Sequence, residues 1–195
     1  MSARRSMTTS EYMDSGSRDV EMDGRRAEQF RRAMGRVPTG VSVVTVATSG
    51  GLVGMTVATL TYASSAPPMI VLLFQRTSAR ARAVLDAGNF GVSVLARNQA
   101  AECVRFASSS SANFDGLEFD TLPSGIPKIR GAVLWLEAHA ASLFEAGDHI
   151  GMLARIDSFE APAGHDQPLA FYRSKLASLN PASGRHIPTE PLQWW

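Results

Sequence analysis

The sequence predicts a mainly β fold, an antiparallel barrel or sandwich with helices at its periphery. Three features support this. β-Branched apolar runs outnumber helical patterns, turn residues join several of those runs, and helical stretches interrupt them at only three points. The strict strand–helix alternation of a doubly wound parallel sheet is missing, and no repeat of solenoid period is present.

The elements follow in order. Residues 1–22 are rich in Ser, Thr, Asp, Arg and Met, poor in β-branched and aromatic residues, and expected to be a disordered tail. Asp23 can cap a helix over residues 25–34, with Ala27, Phe30 and Met34 on one face and solvated arginines on the other. Gly35 and Pro38 end it. Residues 41–48 are a strand by composition, Ser49-Gly50-Gly51 a turn, and residues 52–61 a returning strand of the same hairpin. Pro67-Pro68 breaks the chain, and Met69 to Phe74 is a continuous apolar strand expected to be covered on both faces. Ser78 caps a short helix from Ala79 to Ala87, closed by Gly88. Phe90 to Leu95 is a strand, and Asn98 starts a helix from Gln99 to Phe106. Ser108 to Ser111 is a loop-like serine tract. Gly131 to Phe144 reads as a long alternating strand, Ala146-Gly147-Asp148 as a turn, and His149 to Phe159 as its hairpin mate. Leu169 to Tyr172 is a last short strand. The domain is expected to span residues 23–179, followed by a Pro-rich tail over 180–195 that ends Trp194-Trp195.

Composition narrows the function. At 195 residues and 45% apolar content the chain can bury a real core. A single cysteine, Cys103, excludes a disulfide scaffold and fits a reducing, cytoplasmic setting. A formal charge of +1 gives no electrostatic footprint for nucleic acid or an anionic membrane surface. Neither a signal peptide nor an apolar run of membrane-spanning length is evident.

The common catalytic motifs are absent. There is no C-x-x-C, H-E-x-x-H, G-x-S-x-G, P-loop or Rossmann fingerprint, and His139, His149, His165 and His186 lack metal-ligand spacing. Hydroxyls instead gather near strand ends. Thr56, Thr59, Thr61, Ser64 and Ser65 lie at and after the second strand; Arg76, Thr77, Ser78, Arg80 and Arg82 follow the apolar strand and open a helix. A helix N-terminus offers free N–H groups and a positive dipole end, so this cluster suits a phosphate. It also suits plain capping with solvated arginines, and both readings stand on these residues. His149 likewise reads either as a surface turn residue or as part of a barrel rim.

The segment from Phe30 to Thr45, FRRAMGRVPTGVSVVT, resembles the opening of the flavin reductase-like proteins with an FMN-binding split barrel. Further matches come in the same order: Val53-Gly54-Met55-Thr56, Pro67 to Val71, Phe90 to Leu95, Arg105-Phe106-Ala107, Phe114 to Phe119, Ala146-Gly147-Asp148-His149 and Phe171-Tyr172-Arg173. The resemblance covers roughly residues 25 to 176. Three departures stand out. Leu60 replaces an aromatic, Gly151 is added after His149, and Ser174 replaces a glycine.

The resemblance implies an antiparallel Greek-key split barrel that uses NADH or NADPH to reduce FMN or FAD. It also implies a homodimer that feeds reduced flavin to a partner monooxygenase. Hydride transfer between two stacked rings needs orientation more than it needs an acid, base or nucleophile, so missing triads and metals are expected. By the same resemblance, Leu52, Val53, Gly54, Met55, Thr56 and Phe74 would line the ring slot, with Ala58, Leu60 and Gln75 beside it. Thr59, Arg76, Thr77, Ser78 and Arg80 would hold the phosphate. His149 would position the nicotinamide, with Gly147 and Asp148 in its turn. Arg105 and Phe106 read equally as flavin rim or as a helix end packed on the barrel; Tyr172 reads as a strand-end aromatic in the core with a hydrogen-bonded tip, and the resemblance counts it among the flavin contacts. Two other classes remain: a flavin-binding barrel without reductase activity (carrier, sensor or altered-function oxidase) and a barrel without flavin that acts in assembly.

Overall fold

Alternating apolar strands bury one face each, and here one sheet curls so that those faces meet. The computed structural model describes residues 8–14, 24–108, 114–164 and 167–179. Helices are α1 (Thr9–Asp14), α2 (Gly24–Met34), α3 (Ala79–Ala87) and α4 (Ala100–Ala107). Strands are β1 (Thr39–Gly40), β2 (Ser42–Thr48), β3 (Gly51–Val57), β4 (Thr61–Ser65), β5 (Pro68–Gln75) and β6 (Asn89–Val94). They continue as β7 (Phe119–Thr121), β8 (Pro127–Ile129), β9 (Leu134–Ala146), β10 (His149–Glu160), β11 (Leu169–Tyr172) and β12 (Lys175–Ser178). The fold is mainly β and antiparallel with peripheral helices.

Seven strands form the main sheet in the order β3-β2-β6-β9-β10-β5-β4. Its two edge strands, β3 and β4, are consecutive in the chain. One core joins distant strands of this sheet: Val44 and Val46 of β2, Leu72 and Phe74 of β5, Val92 of β6, and Ile150 and Met152 of β10. α3 adds Ala81, Val84 and Leu85. A second cluster, Val43, Leu95, Cys103, Phe106 and Ile129 among it, lies between β2 and α4. β2 is therefore covered on both faces, which its unbroken β-branched run allows.

Several expectations need correction. The strand predicted over residues 52–61 ends at Val57; the chain crosses at residues 58–60, and Thr61 opens a separate edge strand on β5. Composition cannot reveal that change of partner. β5 alternates, with Ile70, Leu72 and Phe74 buried and Val71 and Leu73 half-buried, so only one face is fully covered. The apolar face of α2 is open in the single chain: Phe30 is 58% and Met34 49% exposed. The Asp23 cap, Ser109 to Ser111, His165, His186 and the tail beyond Leu179 lie outside the described residues.

The expected N-terminal tail contains α1. Thr8 and Glu11 form a reciprocal capping box, with Thr8 N–H donating to Glu11 Oε2 (2.6 Å) and Glu11 N–H to Thr8 Oγ1 (3.2 Å). Tyr12 and Met13 pack against the main core, and burial of those two side chains fixes a helix too short to persist alone. The expected strand over residues 131–144 starts later and runs through Ala146. β1, β7, β8 and β12 were not anticipated; each has four residues or fewer, too short to show a period.

Candidate active site

A cleft of about 320 Å³ opens where β3, β5 and β10 meet the ends of α3 and α4. That volume is near the lower end of the ~300–1,000 Å³ usual for small-molecule sites. Met55, Thr56, Val57, Ala58 and Thr59 line it from β3 and the crossing that follows. Leu73, Phe74 and Gln75 line it from β5, Ser78 and Arg80 from the start of α3, Phe106 and Ala107 from the end of α4, and His149 from β10.

The sequence places each group for a local reason. Ser78 caps α3: its Oγ accepts the Ala81 N–H at 3.2 Å, so its own proton is left to donate outward. The first N–H groups of α3 have no intrahelical acceptor. Arg80 Nη1 donates to the Phe106 carbonyl at 3.1 Å, which ties the two helix ends together beside these donors. Ser78, the α3 N-terminus and Arg80 make one end of the cleft fit for an anion. This donor set suits the phosphate of a flavin nucleotide, and the apolar neighbours Met55, Leu73 and Phe74 suit its ring.

Thr59 has a different task. Its hydroxyl donates to Leu73 O (2.9 Å) and accepts Leu73 N–H (3.2 Å), so it replaces a strand partner at the crossing. Its single proton is thereby committed to the backbone. Thr56 likewise donates to the Cys103 carbonyl at 2.7 Å, docking α4 on β3. Gly54 permits that docking, because a Cβ there would lie 2.4 Å from a Phe106 ring carbon. Burial pushes the Cys103 thiol up and keeps it protonated, a small hydrophobe between these elements.

His149 pairs with Gln75 in the β10–β5 register, which brings a turn residue to the end of the apolar strand. Its Nδ1 lies 2.7 Å from Asp148 Oδ1. An Nδ1–H donated to that carboxylate holds the ring's rotation. Gly147, at φ +63°, makes the tight reversal between β9 and β10.

Other anticipated residues do not line the cleft. Val53 and Leu60 pack against the main core, and Leu52 sits on the β3 edge opposite Ala47. Thr77 is exposed beside Ser78. Arg76 turns away and bonds the Gly147 carbonyl at 2.9 Å. Arg105 donates to Asp115 O at 2.6 Å and lines a separate cavity with Glu102 and Arg130. Tyr172 lies on the β1-β11-β12 sheet under the Arg173 guanidinium, 40% exposed. Val57, Leu73 and Ala107 line the cleft and were not anticipated. Leu73 carried a signal, since it alternates with the buried Leu72 and Phe74.

Comparison with known proteins fits this geometry. Residues 34–180 match the family described as Flavin reductase like domain. A flavin reductase of Pseudomonas putida is 36% identical over 145 residues, covering 74% of this chain and 85% of the relative. The reductase subunit HsaB of a flavin-dependent monooxygenase from Rhodococcus jostii is 30% identical over 166 residues, 85% of this chain and 82% of that one. Among solved structures, the NADH:FAD oxidoreductase SgcE6 of Streptomyces globisporus, in complex with NAD and FAD fragments, superposes with a TM-score of 0.77 at 29% identity. That match covers 85% of this chain and all (100%) of the other.

Proposed function

The chain belongs to the flavin reductase-like family, and from that premise we propose that it reduces a flavin with NADH and releases the product to a separate monooxygenase component. One observation carries the reading: a single cleft brings together the anion donors of Ser78, Arg80 and the α3 N-terminus, the apolar residues Met55, Leu73 and Phe74, and a histidine bonded to a carboxylate. Bound flavin supplies the redox chemistry as a hydride acceptor.

The residues bind and orient. Ser78, the first N–H groups of α3 and Arg80 hold the phosphate. Met55, Leu73 and Phe74 present apolar surface to the ring, and Phe106 closes the side nearest α4. Asp148 fixes the rotation of His149, which borders the space for the reductant. No acid–base step is required of His149; its task is to narrow the approach of the nicotinamide.

The same proposal takes the curled sheet as a split barrel, with Thr59 bridging the split, and the domain as residues 23–179 with α1 added to it. It takes the active form as a cytoplasmic homodimer. The apolar face of α2, exposed in a single chain, supports the dimer.

The test is aerobic NADH oxidation with FMN or FAD, above the free-flavin control. His149→Ala should raise KM for NADH about tenfold, the scale of one lost positioning contact, and change flavin dissociation less than twofold. Flavin binding without NADH oxidation would favour a carrier. No quenching of flavin fluorescence on titration would overturn the site altogether.

A further inference from the structure

We propose that Arg76 and the α1 helix form a clamp on the hairpin turn that carries His149, and through it govern how the reductant binds. This rests on the reductase reading of the cleft. Arg76 follows the cleft residue Gln75 yet takes no place in the lining. Its side chain is only 10% exposed. Its Nε–H donates to Gly147 O at 2.9 Å, and its backbone N–H donates to Asp148 O at 3.1 Å. One residue thus grips two consecutive carbonyls immediately before His149. The Glu145 carboxylate lies 3.8 Å from the same guanidinium, on the far side of the turn.

The N-terminal segment completes the grip. Arg76 Nη1 donates to the Tyr12 carbonyl. The Tyr12 hydroxyl reaches past it and donates to Leu143 O on β9 at 2.9 Å. The Thr8–Glu11 capping box and the packing of Tyr12 and Met13 hold α1 in place.

A hairpin tip with a glycine at φ +63° would otherwise belong to the mobile end of the fold. Here a charge-assisted bond from the guanidinium holds the Gly147 carbonyl, stronger than a neutral one, and a backbone bond holds the Asp148 carbonyl. The Ser78 cap on Ala81 and the Arg80 bond to Phe106 O are separate from the Arg76 bonds to the turn, and α1 also touches α3. Loosening the Arg76 bonds should therefore alter His149 and the reductant while sparing the phosphate site. Arg76 is a positioning residue in this scheme.

The experiment uses the full chain and two readouts. Amide hydrogen exchange is followed across residues 145–150 in Arg76→Gln, Arg76→Lys and Tyr12→Phe. Steady-state kinetics with NADH and direct flavin titration accompany it. In Arg76→Gln, exchange of the Ala146 and His149 amides, the pair that closes the hairpin, should rise about tenfold, the scale of one lost charge-assisted bond, with β2 unchanged. KM for NADH should rise about fivefold, while kcat and flavin dissociation stay within twofold. Arg76→Lys, which keeps a cation able to reach one carbonyl, should restore part of both effects. Tyr12→Phe should loosen the same turn, by about threefold, without unfolding the chain.

Unchanged exchange in both Arg76→Gln and Tyr12→Phe would sink the clamp. Faster exchange with an unchanged KM would sink its role in reductant binding. Flavin affinity falling in step with KM would return Arg76 to the phosphate and also defeat the proposal. A wild-type chain that does not oxidise NADH with flavin would overturn the reductase reading, and with it the reductant role; exchange would still judge the clamp.

Discussion

Gly54 and Ser174 show how single positions set the terms for the cleft and the fold. Gly54→Ala would push a methyl into the Phe106 ring, 2.4 Å away, and that ring lines the cleft. The variant should lose about 1–3 kcal/mol of stability in urea denaturation and bind flavin more weakly. At the β11–β12 turn, Arg173 and Ser174 sit at φ +51° and +60°, the two-residue reversal that favours Asn-Gly. Ser174→Gly should gain about 0.5–1 kcal/mol, read as a higher urea midpoint; no gain would mean the hairpin relaxes at no cost. Gly151 has a similar logic. Phe144, its cross-strand partner, lays its ring over the spot a Cβ would fill, so the extra glycine after His149 is a packing feature. Ser78 was legible because capping is local. Thr59 and Arg76 were not, because hydroxyls and guanidinia in one short stretch look alike until their distant acceptors are placed.

Among elements, α3 was read from Ser78 to Gly88 as found, since both of its ends carry their own signals. It is also where capping and binding meet. Ser78→Ala should cost about 1 kcal/mol of stability through the lost cap. It should weaken FMN more than riboflavin in fluorescence titration; equal losses would take the phosphate away from α3. α1 had a legible start in Thr8 and Glu11, hidden by the polar composition around it. The division between β3 and β4 had no comparable mark. Residues 52–61 are uniformly strand-like, and the break at Ala58 to Leu60 exists because a threonine side chain can substitute for a backbone partner on β5.

For the whole molecule, the exposed apolar surface bears on assembly. Phe30 and Met34 on α2, and Phe171 and Tyr172 on the small sheet, are apolar or aromatic and exposed. The Arg173 N–H donates to Gly35 O just past α2, so these elements are neighbours. A surface of this kind is expected at an interface. Sedimentation should return twice the 20.9 kDa chain mass, and Phe30→Asp should shift it toward one. A monomer at all concentrations would leave the α2 face without a partner and defeat the dimer. Among the described residues no helix is long and apolar enough to cross a membrane.

The sequence by itself determined the class of fold, nearly every long element, and the family, because periodicity, caps and turn residues act over a few positions and the motifs keep their order. It also named the cleft residues that come from contiguous stretches, Met55 to Thr59 apart from Val57, and Phe74 to Ser78 in part. Only the tertiary structure decided which hydroxyl faces a ligand and which holds a strand, and that Arg76 serves the His149 turn while Arg105 belongs to another cavity. The reason is physical: a polar side chain takes its role from the partner it reaches, and those partners lie 14 to 131 residues away in the chain for Thr59, Arg76 and Tyr12.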